Sequence, residues 1–212
     1  MKKVIQGVVF KGIVAGVVMS STLTSSVALA QDSELDITAN VGLYSKYIWR
    51  GWNLKDDMSI QGGVDLGYNG FYAGIWGGSD ETLGTEIDLY AGYGHTFNDN
   101  FALEVGFIQY RFDHRNVEQD EVHVTADFNL FSLSYHDGEA EYDYIEANTS
   151  FELSDEFTLD LHYGIEDNDV RDWYDYSATL TYAINDTFSV FLAVSDKEDN
   201  DDEIFGGFVG NF

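Results

Sequence analysis

The chain has 212 residues with 38 Asp+Glu against 10 Lys+Arg, a formal net charge of −28, and it contains neither cysteine nor proline. The negative charge excludes nucleic acid as a natural partner, and the lack of cysteine excludes disulfides and thiolate metal sites. Without proline, every backbone N–H can join a sheet ladder, as a closed β-sheet requires.

The first 30 residues have the features of a secretory signal peptide. Two lysines follow Met1, residues 8–18 are mostly small or apolar, and Ala28-Leu29-Ala30 forms an A-x-A cleavage site. A membrane anchor is the alternative, but Gln6 and Lys11 interrupt an apolar run shorter than the roughly 20 residues of a spanning helix. Cleavage would leave 7 Lys+Arg (10 minus 3) against 38 Asp+Glu. We predict export and a single domain over residues 31–212.

After the leader, apolar and polar residues alternate with period two, as in Leu35–Leu43 and Ile87–Tyr93. This period indicates strands with two different faces. The predicted strands are 35–50, 58–68, 71–79, 85–97, 101–112, 121–130, 131–137, 142–153, 157–166, 173–184, 188–195 and 204–212. We predict an all-β fold, a transmembrane antiparallel up-and-down β-barrel of about 12 strands (10–14), since each span approaches the roughly 9–11 residues of a transmembrane strand.

Short polar turns, each followed at once by phenylalanine, separate pairs of these strands at intervals of roughly 25 to 31 residues. They precede Phe71, Phe101, Phe131, Phe157 and Phe188. Longer connections lie between them. In bacterial barrels the short turns are periplasmic and the long loops external, so this alternation predicts both chain ends in the periplasm.

Aromatic residues fall near the two predicted ends of the strands, which suggests interfacial girdles at headgroup depth. A sandwich core is the alternative, but it predicts no segregation by strand end. The predicted girdle residues are Trp49, Trp76 and Trp173 at the external end, and Phe71, Phe101, Phe157, Phe188 and Phe212 at the periplasmic end.

The last predicted strand carries its apolar and small residues on one face and ends on Phe212. Such a strand is an edge that can be captured by β-augmentation until the barrel closes. We therefore expect the outer-membrane insertion machinery to be a partner, together with outer-membrane lipid and lipopolysaccharide. The predicted location is the cell outer membrane.

The apolar-out register directs many carboxylates and few cations into the barrel. Charged side chains on the lipid face cost up to about 2–4 kcal/mol each, so an inward placement is favoured. The predicted pore-lining residues are Asp36, Lys46, Arg50, Asp65, Glu86, Asp88, Glu104, Asp127, Glu146 and Asp160, with Arg111 added if a bulge reverses its strand. An acidic lumen attracts cations, so we predict a porin-like channel for small solutes or ions. The alternative is that these acids solvate the lumen without any flux.

The chain length limits the size of the channel. Twelve strands fall between small filled barrels and the 16–18-stranded porins, and they leave little chain for a constricting loop or plug.

Two other function classes stay open. His123, Ser132, Ser134 and His136 could share one inner face and serve a lipid-modifying hydrolase, although no G-x-S-x-G elbow occurs. His162, His95 and His114 look isolated. The acidic loops Glu166–Asp169 and Asp196–Glu203 could bind Ca²⁺ or a surface partner without any conduction. We predict no enzyme, no cofactor and no metal site.

Several segments in close succession also match a known pattern: Tyr47-Ile48-Trp49-Arg50-Gly51, Gln61-Gly62-Gly63, Phe71–Trp76 and Glu86–Tyr93. In order and spacing they resemble the TorF-type porins, a family of secreted bacterial proteins. The resemblance is densest over residues 40–110 and continues more loosely to Phe212. It implies an outer-membrane barrel with a porin role, and it implies no substrate or catalytic residues.

Overall fold

The computed structural model describes residues 35–114, 117–139, 142–168 and 171–212; the predicted signal peptide lies outside them. Over these ranges the chain forms strands, and no helix long and apolar enough to cross a membrane occurs there. The strands are β1 (Asp36–Tyr44), β2 (Tyr47–Trp49), β3 (Trp52–Lys55), β4 (Ser59–Tyr68), β5 (Phe71–Asp80), β6 (Gly84–Asn98), β7 (Phe101–Phe112), β8 (Val117–Phe128), β9 (Phe131–Gly138), β10 (Tyr142–Glu152), β11 (Phe157–Asn168), β12 (Trp173–Ala183), β13 (Phe188–Lys197) and β14 (Glu203–Asn211).

Twelve of these strands close into an antiparallel barrel, which confirms the predicted fold. Strands β4 to β14 pair in sequence order, and β1 closes the ring by pairing with both β4 and β14. The closure ladder sets Leu43 opposite Phe208, and the β1–β4 ladder sets Tyr44 opposite Ser59. Strands β2 and β3 form a separate two-stranded sheet outside this ring of hydrogen bonds.

The barrel wall has an apolar outer face and a polar or aromatic inner face, because successive side chains of a strand point to opposite sides. Large apolar side chains are exposed on the outside, as in Ile60 (68%), Leu192 (62%) and Ile204 (66%). Their chain neighbours, such as Gln61 and Phe205, are buried inside. The exposed apolar face is the surface that a barrel offers to lipid.

The five predicted short turns join the strand pairs β4–β5, β6–β7, β8–β9, β10–β11 and β12–β13. Residues with positive φ form the tightest of them, Asn69 (52°) with Gly70 (82°) and Asn129 (55°). Asparagine and glycine tolerate this left-handed backbone best. We call this side of the barrel the short-turn end, and the opposite side the loop end.

The first strand is shorter than predicted, and this changes the interior of the barrel. It ends at Tyr44 instead of residue 50, and residues 45–58 form the first connection at the loop end. Within that connection, β2 and β3 pair as a hairpin. The prediction that too little chain remains for a constricting element is therefore wrong.

Candidate functional site: a hairpin across the barrel interior

The hairpin of β2 and β3 turns through Arg50 and Gly51, which have φ values of 47° and 72°. Trp49 and Trp52 pair directly across this two-residue loop. Two positive φ values are the signature of the mirror-image turns whose twist suits antiparallel strands. Glycine adopts this backbone without strain, whereas Arg50 pays a conformational cost that its other contacts must offset.

The tip of the hairpin is held by an ion pair that is fully removed from solvent. Arg50 Nη2 lies 2.9 Å from Glu121 Oε2 in β8, and both side chains are 0% exposed. The guanidinium also stacks over the ring of Tyr144 in β10, with Cζ 4.1 Å from the centroid. Glu121 accepts a further hydrogen bond of 2.7 Å from the Tyr142 hydroxyl. These contacts place the tip of the hairpin against β8 and β10.

The hairpin also contacts a second part of the ring, strands β12 and β13. A Cβ added to Gly51 would lie 2.6 Å from Lys197 Cβ in β13 and 2.9 Å from Asp175 Cβ in β12. Lys197 Nζ lies 4.6 Å from the centroid of the Trp52 ring, a cation–π contact. Since the hairpin touches β8, β10, β12 and β13, it lies across the barrel interior.

The first strand of the hairpin is anchored on a third part of the wall. The Tyr47 hydroxyl donates a hydrogen bond of 2.8 Å to Glu86 Oε2 in β6. The Tyr47 ring lies 5.9 Å from the Trp76 ring of β5, and the Trp49 ring lies 6.2 Å from the Tyr110 ring of β7. These rings belong to a buried aromatic cluster on the inner face of β5, β6 and β7.

At the base of the hairpin, Lys46 ties the connection to the barrel rim. Its Nζ lies 2.6 Å from Asp56 Oδ1 and 2.7 Å from Glu203 Oε2. The hydrogen bond from Lys46 lowers the pKa of Asp56, and the bonds to Asp56 and Glu203 raise the pKa of Lys46. Because this network is partly exposed, it orients the connection more than it stabilises it.

The predicted pore-lining acids all lie on the inner face of their strands, at different depths. Asp65, Glu86, Asp88 and Glu146 are buried, Glu104, Asp127 and Asp160 are half-buried, and Asp36 is exposed near the short-turn end. Glu146 and Glu104 pair with histidines, and Asp65 accepts a hydrogen bond from the Tyr90 hydroxyl. The two predicted cations, Lys46 and Arg50, belong to the hairpin connection and not to the wall.

A row of alternating carboxylates and imidazoles runs around the inner wall from β8 to β12, and the sequence analysis missed it. His136 lies between Glu121 (2.8 Å) and Glu146 (3.1 Å). His162 lies between Glu146 (3.4 Å) and Asp175 (2.9 Å). The view of His162 as isolated is therefore wrong. Each member lies an even number of positions from the other buried residues of its strand, and this spacing is the signal that could have revealed the row.

The hydrolase constellation does not form as an active pair. The Ser134 hydroxyl hydrogen-bonds to Thr125 Oγ1 at 2.9 Å. His136 contacts carboxylates with both ring nitrogens, and His123 Nε2 lies 3.1 Å from Glu104. His136 therefore has no ring nitrogen left for a serine hydroxyl, and Ser134 bonds to Thr125 instead of a histidine.

Three predicted girdle tryptophans lie inside the barrel. Trp76 is 5% exposed and packs against Tyr47, and Trp49 belongs to the hairpin. Trp173 is half-buried on the inner face of β12, with its ring 5.8 Å from that of Trp52. Tyrosines occupy the outer face near the loop end instead, among them Tyr174 and Tyr176. The phenylalanines Phe71, Phe101, Phe157, Phe188 and Phe212 lie on the outer face at the short-turn end.

The proposed reversal at Arg111 is also wrong. The β7–β8 ladder keeps one register from Phe101 to Phe112, and the β6–β7 ladder keeps one from Ala102 to Phe112, so neither shifts near Phe107 and Ile108. Ile108 therefore points inward at 1% exposure, and Arg111 points outward beside Gln109 and Glu118.

The described residues of the two acidic loops show no metal cluster. Among the residues that the structure describes, no group of three or more His, Cys, Asp or Glu side chains could hold a metal ion. In the β13–β14 loop, Glu198 and Asp199 pair with Arg171 at 3.2 and 2.6 Å. Asp169 of the other acidic loop lies outside the described residues.

Solved structures of porins share this fold. The KdgM porin superposes with a TM-score of 0.65 at 13% identity, over 82% of this chain and 99% of that one. A KdgM structure in complex with disordered oligogalacturonate gives a TM-score of 0.62 at 11% identity, over 82% of this chain and 95% of that one. The NanC porin gives a TM-score of 0.60 at 9% identity, over 82% of this chain and 98% of that one. The outer membrane protein Omp33 of Acinetobacter baumannii gives a TM-score of 0.57 at 5% identity, over 85% of this chain and 99% of that one.

At these identities the similarity establishes a porin-like barrel and no more. No curated protein sequence matches the chain significantly. One family model, described as "Bacterial protein of unknown function (Gcw_chp)", matches residues 28–210, and the chain therefore belongs to that family.

Proposed function

We propose that this protein is an outer-membrane channel for passive diffusion of small solutes or ions, with a preference for cations. The observation that carries the proposal is the charge of the interior. Among the described residues, seven buried acids (Asp65, Asp80, Glu86, Asp88, Glu121, Glu146 and Asp175) accompany two buried Arg or Lys side chains, Arg50 and Lys197, and three buried histidines. An excess of carboxylates in a lumen attracts cations and repels anions.

The hairpin restricts the size of what can pass. It crosses the interior at the loop end and packs there against two buried clusters, so the open cross-section is smaller than that of the bare ring. A polyanion such as the oligogalacturonate bound by KdgM would be repelled by the acidic wall of this chain. Small cations fit both the charge and the restricted path.

Location and partners follow from the same proposal. The apolar outer face suits a lipid bilayer, the leader over residues 1–30 would direct export, and β14 would present its edge to the insertion machinery. Lipopolysaccharide would be the neighbour on the loop side. The resemblance to the TorF-type porins favours this reading.

The test is single-channel conductance of the refolded chain in planar bilayers under a KCl gradient. We expect discrete steps and a reversal potential on the cation-selective side. Asp127→Asn combined with Asp160→Asn should reduce the selectivity, because both carboxylates are half-buried on the inner face. Asp143→Asn is the matched control, since Asp143 is exposed on the outer face. Anion selectivity in the unsubstituted chain would refute the proposal.

A non-conducting barrel that acts as a surface or structural protein is the second candidate. The burial of the hairpin favours it: Arg50 is 0% exposed and Tyr47 is 2% exposed, as in a filled interior. The same recording decides between the two candidates. A folded, heat-modifiable barrel that never conducts would favour the second candidate.

A further inference from the structure

Asp88 is a buried carboxyl group with one oxygen that lacks a hydrogen-bond partner. It is 3% exposed, and its Oδ1 atom has no hydrogen-bond partner among the described residues. Glu86, two residues earlier on the same face of β6, is also 3% exposed. The negative charges of Glu86 and Glu121 repel a negative charge on Asp88. The buried guanidinium of Arg50 is engaged by Glu121. A buried carboxyl group in a protein is normally paired, holds a ligand or keeps its proton.

Aromatic rings surround this carboxylate. The sheet register places Trp76 of β5 and Tyr110 of β7 directly beside Asp88, one on each side. Both rings are almost fully buried, at 5% and 6% exposure. Tyr47 of the hairpin covers the same region, since it contacts Trp76 and hydrogen-bonds to Glu86. The faces of tryptophan and tyrosine rings attract cations.

We propose that Asp88, with Glu86 and the rings of Trp76, Tyr110 and Tyr47, binds the ammonium group of a small organic cation. This inference rests on the proposed cation preference and names a substrate class for it. A carboxylate supplies the ion pair and the ring faces supply cation–π contacts, which together suit an alkylammonium group. Divalent metals fit poorly, because Ca²⁺ takes six to eight oxygen ligands and Mg²⁺ six in octahedral geometry, whereas this site offers two carboxylates.

The hairpin couples this site to passage through the channel. Tyr47 belongs to β2 and at the same time donates a hydrogen bond to Glu86 at the site. A cation that takes the place of this hydroxyl on Glu86 removes one of the contacts that hold the hairpin. Occupancy and the position of the hairpin are therefore linked.

The experiment measures binding apart from conduction. Methylammonium chloride is titrated into the refolded chain in detergent by calorimetry, with KCl at equal ionic strength as the reference. We expect methylammonium binding that Asp88→Asn weakens at least tenfold. Asp143→Asn, which removes an exposed carboxylate from the outer face, should leave it unchanged. Binding that survives Asp88→Asn, or equal binding of K⁺, would overturn the inference.

A second variant keeps the test valid if Asp88→Asn fails to fold. Trp76→Leu should weaken methylammonium binding by about three- to thirtyfold through the lost cation–π contact, while it leaves the response to K⁺ unchanged. An unchanged methylammonium affinity in this variant counts against the site. Infrared spectroscopy supplies one more test. A protonated carboxyl band that the parent shows at pH 7 and that a folded Asp88→Asn barrel lacks would also overturn the inference, because Asp88 would then be neutral in the parent.

The two proposals can fail separately. Cation-selective conductance without methylammonium binding leaves the channel and removes the site. Methylammonium binding by a barrel that never conducts leaves the site and removes the channel.

Discussion

Arg50 holds the tip of the hairpin through a buried ion pair. Its guanidinium and the carboxylate of Glu121 are both 0% exposed, so each charge is compensated chiefly by the other. Removing one partner of a buried pair costs about 3–5 kcal/mol, because the remaining charge stays in a poorly solvated place. The docked hairpin should therefore tolerate no neutral residue at this position.

We predict that Arg50→Ala releases the hairpin, because hydration of Glu121 then favours the undocked state. Single-channel recording should show larger or more frequent conductance steps than the parent. Arg111→Ala is the control, since Arg111 is an exposed arginine on the outer face, and the charge change is the same. Identical recordings for Arg50→Ala and the parent would contradict the prediction.

Gly51 provides a second prediction at the same scale. An alanine there would be strained by the positive φ and would collide with Lys197 and Asp175. Gly51→Ala should lift the tip of the hairpin off the wall and raise the open-channel current. Gly84→Ala carries a similar left-handed backbone cost of about 1–2 kcal/mol, but its new neighbours are movable side chains in a loop. That control should lower thermal stability slightly and leave the current unchanged; equal currents in both variants would refute the collision argument.

Single residues also show what the sequence could predict. The inward acids follow from parity alone, because their neighbours in the chain are apolar and exposed. Trp76 was assigned to the girdle because it lies near a strand end, although it follows the outward Ile75 by one position. Parity therefore places Trp76 inside, and it was the better guide for this residue.

At the scale of the element, the hairpin is an insertion between β1 and β4, and these two strands pair with each other without it. Tyr44 pairs directly with Ser59, so the wall is continuous between β1 and β4 on either side of the connection. The connection over residues 45–58 meets the rest of the barrel mainly through side chains, with two backbone bonds of 2.9 Å, from Ser45 N to Gly206 O and from Glu81 N to Leu54 O. It can therefore be removed without breaking the barrel.

We predict that replacing residues 45–58 by an Asn-Gly turn yields a folded barrel with larger conductance. A two-residue turn suits the direct pairing of Tyr44 with Ser59. The measurement is unitary conductance together with heat-modifiable migration, which reports folding. The control replaces residues 154–156, the β10–β11 turn at the short-turn end, by the same turn, and it should leave the unitary conductance close to that of the parent. An unchanged conductance in the first variant would mean that the hairpin does not restrict the path.

The sequence contained a signal for this hairpin. Arg50-Gly51 stands between two tryptophans. Glycine is favoured at the second position of a two-residue hairpin turn, and apolar residues commonly flank such a turn. The alternating pattern of β1 continues into Tyr47 and Trp49, which is why one long strand over 35–50 was predicted. A two-residue turn and a strand interior can share the same local alternation, so only tertiary contacts separate them.

For the whole molecule, the decisive contact is the closure of β1 on β14. Leu43 and Phe208 are directly opposed in this ladder and both point outward. Opposed residues in antiparallel strands have Cα atoms about 4.5–5.5 Å apart, which is within disulfide range. We predict that a Leu43→Cys, Phe208→Cys chain forms a disulfide on oxidation and then migrates as a cross-linked species. Leu43→Cys with Leu192→Cys should not form one, since β13 is not a neighbour of β1; a bond there would disprove the closure.

The sequence by itself determined the ring. Period-two alternation, five short turns and the absence of proline are local properties, and they specify the twelve barrel strands and which face of each carries the acids. The tertiary structure alone decided how the interior is filled. Arg50 meets Glu121 across 71 positions of sequence, and Lys46 meets Glu203 across 157. Such pairs have no local signature, because they exist only after closure of the ring has brought distant strands around the hairpin.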